Sequence, residues 1–150
     1  MASLNVADLR LFVDSIKRYL LVTTRHEPQL TSAFLGTAEV EGFEYHGLVN
    51  FSGSFNGQVV VSMAGKLVRE LLQQETNLSE GNLLDAVGEI ANTLAGNARK
   101  TMEPELQISV PVKIQGSHGI KTCVRKHSYI ITLCWGHHAA MVCVDMERKH

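Results

Sequence analysis

No apolar run in this sequence approaches the about 18 residues that a membrane-spanning helix needs. The opening residues, MASLNVADLR, lack a basic region followed by an apolar run and a small-residue cleavage site. Asp8 and Arg10 come too early for a secretory leader. Neither sign of charge is in excess, since 14 basic residues meet 15 acidic ones for a formal net charge of −1. That balance leaves no clustered basic footprint for nucleic acid and no polybasic segment for a membrane of anionic lipid. Cysteine is scarce. Cys123, Cys134 and Cys143 are odd in number and lie in apolar or mixed strand-like sequence. They make no disulfide framework, and a reducing, cytoplasmic setting is the simplest expectation.

Motifs are missing too. There is no C-x-x-C and no H-E-x-x-H among three cysteines and seven histidines, so no metal site is expected. The cysteines read as small buried hydrophobes. His137 and His138 read as an exposed turn, and Trp135 as a packing anchor beside it. GSFNGQ has neither the P-loop nor the dinucleotide pattern, and no G-x-S-x-G elbow exists. Linkers and low-complexity segments are absent, and 150 residues fit one domain, 1–150.

What is present is a run of amphipathic segments. Residues 5–22 repeat apolar positions at three and four (Val6, Leu9, Val13, Ile16, Leu20), which predicts a helix with Asn5 as its N-cap. Strand-like runs follow at 31–40, 44–53 and 57–63, with EGF and SFNG between them as hairpin turns. A second helix is expected over 64–75, then the loop TNLSEGN, then a long helix over about 82–102 that stops before Pro104. Strand-like runs at 106–116, 128–135 and 139–147 end the chain, with GHH as the last turn. A helix-then-three-strands plan thus occurs twice. Short turns between consecutive strands imply antiparallel neighbours. The expected fold class is α+β, an antiparallel or mixed sheet with packed helices and an internal duplication.

The long helix carries the chemistry. On a wheel of about 100° per residue, Leu83, Leu84, Val87, Ile90, Ala91, Leu94, Ala95, Ala98 and Met102 share one broad side, which must be buried. Asp85, Glu89, Asn92, Gly96 and Arg99 form a stripe almost opposite, spaced four, three, four and three. A solvated face explains charged residues well. An E-x-x-N pair alone turns up by chance about once in a few hundred residues at average usage, so the pair by itself says little. Asn92 and Gly96 are harder to dismiss. Asparagine competes for backbone hydrogen bonds inside a helix, and glycine there costs about 1 kcal/mol against alanine. Their place beside a carboxylate suggests a surface that serves a partner.

At these residues the sequence resembles a family. LLDAVGEIANTLAGNARK is similar to the CheC/CheX/FliY group of chemotaxis phosphatases, whose signature is an acidic residue or serine, Glu four later, Asn three later and a downstream proline. Asp85, Glu89 and Asn92 fit the first three positions, and AGNARK with ISVPVKIQG looks especially like CheX. Pro111 follows Asn92 more closely than the family pattern has it. CheC-like proteins carry the signature twice, but the first helix here has no Glu at all, so a single site is expected, as in CheX.

The resemblance implies a CheC-like fold and hydrolysis of the aspartyl phosphate on a response regulator of the CheY type. It implies that Asn92 orients the attacking water and that Glu89 docks on the receiver's lysine, with Asp85, Gly96 and Arg99 at the partner surface. It implies no cofactor of the protein's own, the receiver bringing its Mg²⁺. It also implies pairing of two copies as a homodimer through their sheets, with the last strands, SYIITLCW and AAMVCVDME, apolar enough to join such an interface. The alternative from another class is a non-catalytic module that binds a receiver or sensory partner through the same face.

Overall fold

The computed structural model describes residues 6–25, 27–35, 43–53, 55–71, 79–101, 106–116, 129–135 and 138–148. Met102, Pro104, Cys123 and His137 lie outside these, as do 36–40 and 72–75 of the expected elements. The order is α1 (Val6–Thr24), β1 (Gln29–Leu35), β2 (Tyr45–Ser52), β3 (Phe55–Met63), α2 (Gly65–Leu71), α3 (Glu80–Thr101), β4 (Gln107–Ile108), β5 (Val112–Gln115), β6 (Tyr129–Trp135) and β7 (His138–Arg148). Every strand pairing is antiparallel, and the class is α+β.

The sheet runs β1-β6-β7-β3-β2, with β4 and β5 both on the far side of β2. The expected hairpins β2–β3 and β6–β7 form. The hairpin expected between the first two strand runs does not form, since β1 pairs with β6, and β5 pairs with β2. The connections explain this. Nine residues, 36–44, separate β1 from β2, and thirteen, 116–128, separate β5 from β6. Both are too long for a tight hairpin, so each half of the duplicated plan lends its first strand to the other half. β6 and β7 are therefore interior strands. Among the described residues the outermost strands of the sheet are β1 on one side and β4 with β5 on the other.

The run 106–116, expected as one strand, breaks into two. Phe51 pairs with Ile108 and Leu48 with Val112, so three steps along β2 face four along its partner. The extra residue is a bulge. It falls between Ser109 and Pro111, where proline has no N–H for a ladder. Ser109 holds the strand there, its N–H donating to Asn50 O at 3.0 Å and its Oγ accepting from Asn50 N at 2.9 Å.

One face of the sheet carries Val49, Val59, Val61, Ile131, Leu133, Val142 and Val144, all buried under α1 and α3. Phe12 is at the centre of the α1 contribution, fully buried with Ile16 and Leu20, and its ring meets Phe51 edge-on at 6.5 Å. The wheel of α1 had not singled it out. The other face holds a buried row, Leu48–Val60–Cys143–Ile130, in register across four strands. Burial there pushes the Cys143 thiol up to about 12, which keeps it inert at neutral pH.

His46 lies on that same face, fully buried, with Nε2 hydrogen-bonded to Gly116 O at 2.7 Å and Nδ1 without a partner among the described residues. Desolvation lowers its pKa below the ordinary 6.5, although the Gly116 carbonyl opposes this. The fold therefore keeps the ring neutral. Between the lowered value and about 6.5 the unfolded chain binds a proton that the folded one does not. This group costs nothing above pH 6.5 and destabilises progressively as pH falls below it. The urea midpoint should drop between pH 7.5 and 5.5, and His46→Gln should drop less. An equal drop in both would remove His46 as a cause.

Candidate functional site

α3 begins two residues earlier than its periodicity indicates. Ser79 is the cap, its Oγ accepting from Asn82 N at 3.2 Å and its carbonyl from Leu83 N at 3.1 Å. From there Leu83, Val87, Ile90, Ala91, Leu94, Ala95 and Ala98 are buried as expected, while Leu84 packs at the margin. Each buried leucine or isoleucine contributes about 1.5–3 kcal/mol, which fixes the rotation of the helix and so the direction of the opposite stripe. Asp85, Glu89 and Arg99 are exposed, and Asn92 and Gly96 are half-buried. The five predicted residues form one continuous row.

Their surroundings differ. Among the described residues, the Glu89 carboxylate and the Asn92 carboxamide have no hydrogen-bond or ion-pair partner. Apart from its chain neighbours and its own helix backbone, no described heavy atom lies within 4 Å of where a Cβ on Gly96 would stand. Among the described residues nothing requires glycine there. Asp85 is not free in this way: Lys113 Nζ of β5 stands 2.5 Å from its Oδ1. Arg99 and Lys100 occupy the last turn, where cations complement the helix dipole, so Arg99 has an adequate structural explanation.

α3 is held unusually close to the sheet. A Cβ on Gly47 of β2 would stand 2.6 Å from the carbonyl oxygen of Val87 and 3.0 Å from Gly88 Cα. Gly88 in turn is buried, and a Cβ there would meet Lys113 Cγ at 3.1 Å and Pro111 Cβ at 3.5 Å. Two glycines thus let β2 and the β4–β5 bulge approach the backbone immediately before Glu89. Pro111 reaches this position despite its short separation from Asn92 in sequence. The sequence reading missed Gly47, Gly88 and Lys113. The usable signals were glycine inside a strand and a second glycine in a helix otherwise well supplied with apolar contacts.

On the other side of the row, α1 and α3 enclose a groove of about 420 Å³ lined by Ser15, Arg18, Tyr19, Val22, Thr93 and Asn97. The row is therefore a ridge with a groove beside it, open to a large partner. Among the described residues no three His, Cys, Asp or Glu side chains come together. Cys134 pairs with Ala139 and Cys143 with Ile130, so the two cysteines are not opposite each other. Among the described residues no helix is long and apolar enough to cross a membrane.

Comparison with solved structures gives the same fold. The chemotaxis protein CheX from Vibrio vulnificus is 19% identical, with a TM-score of 0.76 over 95% of this chain and 100% of that one. A CheC-like superfamily protein from Shewanella sp. PV-4 is 18% identical, with a TM-score of 0.77 over 96% and 99%. CheX from Borrelia burgdorferi, solved in a CheX–CheY–BeF3–Mg²⁺ complex, is 16% identical, with a TM-score of 0.76 over 96% and 100%. The curated proteins give no match. The family model described as "Chemotaxis phosphatase CheX" matches residues 45–134, more than half of the 150. That span holds β2, β3, all of α3 and the β4–β5 bulge, and with them every residue of the exposed row: the chain belongs to the CheX family of chemotaxis phosphatases.

Proposed function

We propose that the α3 ridge docks on a phosphorylated receiver domain of the CheY type and accelerates hydrolysis of its aspartyl phosphate. The observation that carries this is the placing of a carboxylate and a carboxamide, Glu89 and Asn92, each without a partner among the described residues, on one helix face beside Gly96. Membership of the family supports it, as does the Borrelia burgdorferi relative solved together with CheY, BeF3 and Mg²⁺.

The chemistry asked of this chain is small. An acyl phosphate is already reactive, and its hydrolysis needs a placed water and charge stabilisation. The Asn92 carbonyl oxygen accepts a hydrogen bond from the water and sets its oxygen in line with phosphorus. The P–O bond to the receiver's aspartate breaks, the carboxylate leaves, and the water's proton passes to the released phosphate or to solvent. Negative charge on the phosphoryl oxygens is met from the receiver's side by its own Mg²⁺ and lysine. Glu89 pairs with that lysine and sets the depth of Asn92. The protein supplies no nucleophile and needs no cofactor.

Gly96 separates this reading from an ordinary wet surface. With empty space at its Cβ position, Gly96→Ala should stabilise the isolated protein by up to about 1 kcal/mol. If a partner's backbone lies against that spot, the same change should raise KM for the phosphorylated receiver. A more stable protein with unchanged kinetics would show that nothing docks there.

A further inference from the structure

Lys113 crosses the α3 backbone just before the proposed docking residue. Its Cγ and Cδ lie over Gly88, where any side chain would stand 3.1 to 3.2 Å from them. Beyond that crossing its ammonium reaches Asp85 at 2.5 Å. The two side chains are 42% and 65% exposed, so the pair contributes little to stability. Its effect is on which charges the ridge shows. Asp85 and Glu89 are four residues apart on one face, like charges one turn from each other. Without Lys113 the ridge would offer a cation two equivalent carboxylates, about 6 Å apart along the helix.

We propose that Lys113 is a positioning residue: by engaging Asp85 across the Gly88 gap, it leaves Glu89 as the carboxylate that receives the receiver's lysine, and so fixes the register of Asn92. The proposal rests on the receiver-phosphatase reading. A receiver lysine captured by Asp85 would shift the complex by one helical turn, and Asn92 would miss the phosphoryl group. Such a complex is bound but unproductive.

Unproductive binding has its own kinetic signature. It lowers kcat and KM by the same factor and leaves kcat/KM unchanged. Lys113→Met keeps the stem over Gly88 and removes only the charge. If Asp85 and Glu89 then compete equally, half the complexes are unproductive, and kcat and KM each fall about twofold. Asp85→Asn combined with Lys113→Met removes the competitor and should restore wild-type kcat and KM, and Lys113→Arg should keep them. A fall in kcat/KM, an unchanged kcat in Lys113→Met, or no restoration in the double variant would overturn the role of Lys113. If the wild-type protein itself fails to accelerate receiver dephosphorylation, the underlying functional reading fails and takes this one with it. Wild-type turnover in the same assay therefore tells the two failures apart.

Discussion

Asn92→Ala should lower kcat for receiver dephosphorylation by on the order of 10²- to 10³-fold, the usual cost of losing a group that acts on the reacting atoms. KM should change little, because Glu89 and the rest of the ridge still dock. The variant should fold normally: Asn92 is half-buried, among the described residues its side chain has no hydrogen-bond partner, and alanine is the better helix former. The expected combination is therefore undiminished thermal stability with turnover almost abolished. Steady-state phosphate release together with a melting curve checks both halves. Retained phosphate release in this variant would remove Asn92 as the water-orienting group, whatever else the ridge does.

The second large effect is structural. Gly47→Ala places a methyl 2.6 Å from the Val87 carbonyl oxygen, a backbone atom that cannot swing aside. Either α3 lifts away from β2 or the strand bends. The cost should be about 1–3 kcal/mol, which for a chain of this size lowers Tm by several degrees. Lifting α3 also loosens its contact with Pro111 and Lys113, so kcat should fall even though Gly47 touches no substrate. An unchanged Tm would mean that α3 rides over β2 with slack, and that the glycine contact does not set the depth of the ridge.

The sequence revealed most where a residue's environment is decided by local period. The wheel of α3 sorted buried from exposed almost without error, because a 22-residue helix packed on one face obeys a single repeat. The same wheel exposed Asn92 and Gly96 as residues that packing did not explain. Sheet order was less legible. Strand runs were visible, but exchange of β1 and β5 between the halves depends on long connections whose course no local pattern encodes. Nor did any local pattern show that β6 and β7 lie inside the sheet, between β1 and β3. Phe12 was passed over because its neighbours on α1 satisfied the repeat without it. Gly47, Gly88 and Lys113 come from three separate segments, and only their juxtaposition gives them meaning. The pair Lys113–Asp85 is 28 residues apart in sequence. No spacing rule connects a strand lysine to a helix aspartate across a glycine.

The central claim, that this ridge turns over an aspartyl phosphate, is tested most directly by substoichiometric protein against an excess of phosphorylated CheY-type receiver with Mg²⁺. The account predicts several equivalents of phosphate released per protein molecule, well ahead of the receiver's own decay. Binding of the receiver with its decay unchanged would contradict it and leave a recognition module in its place.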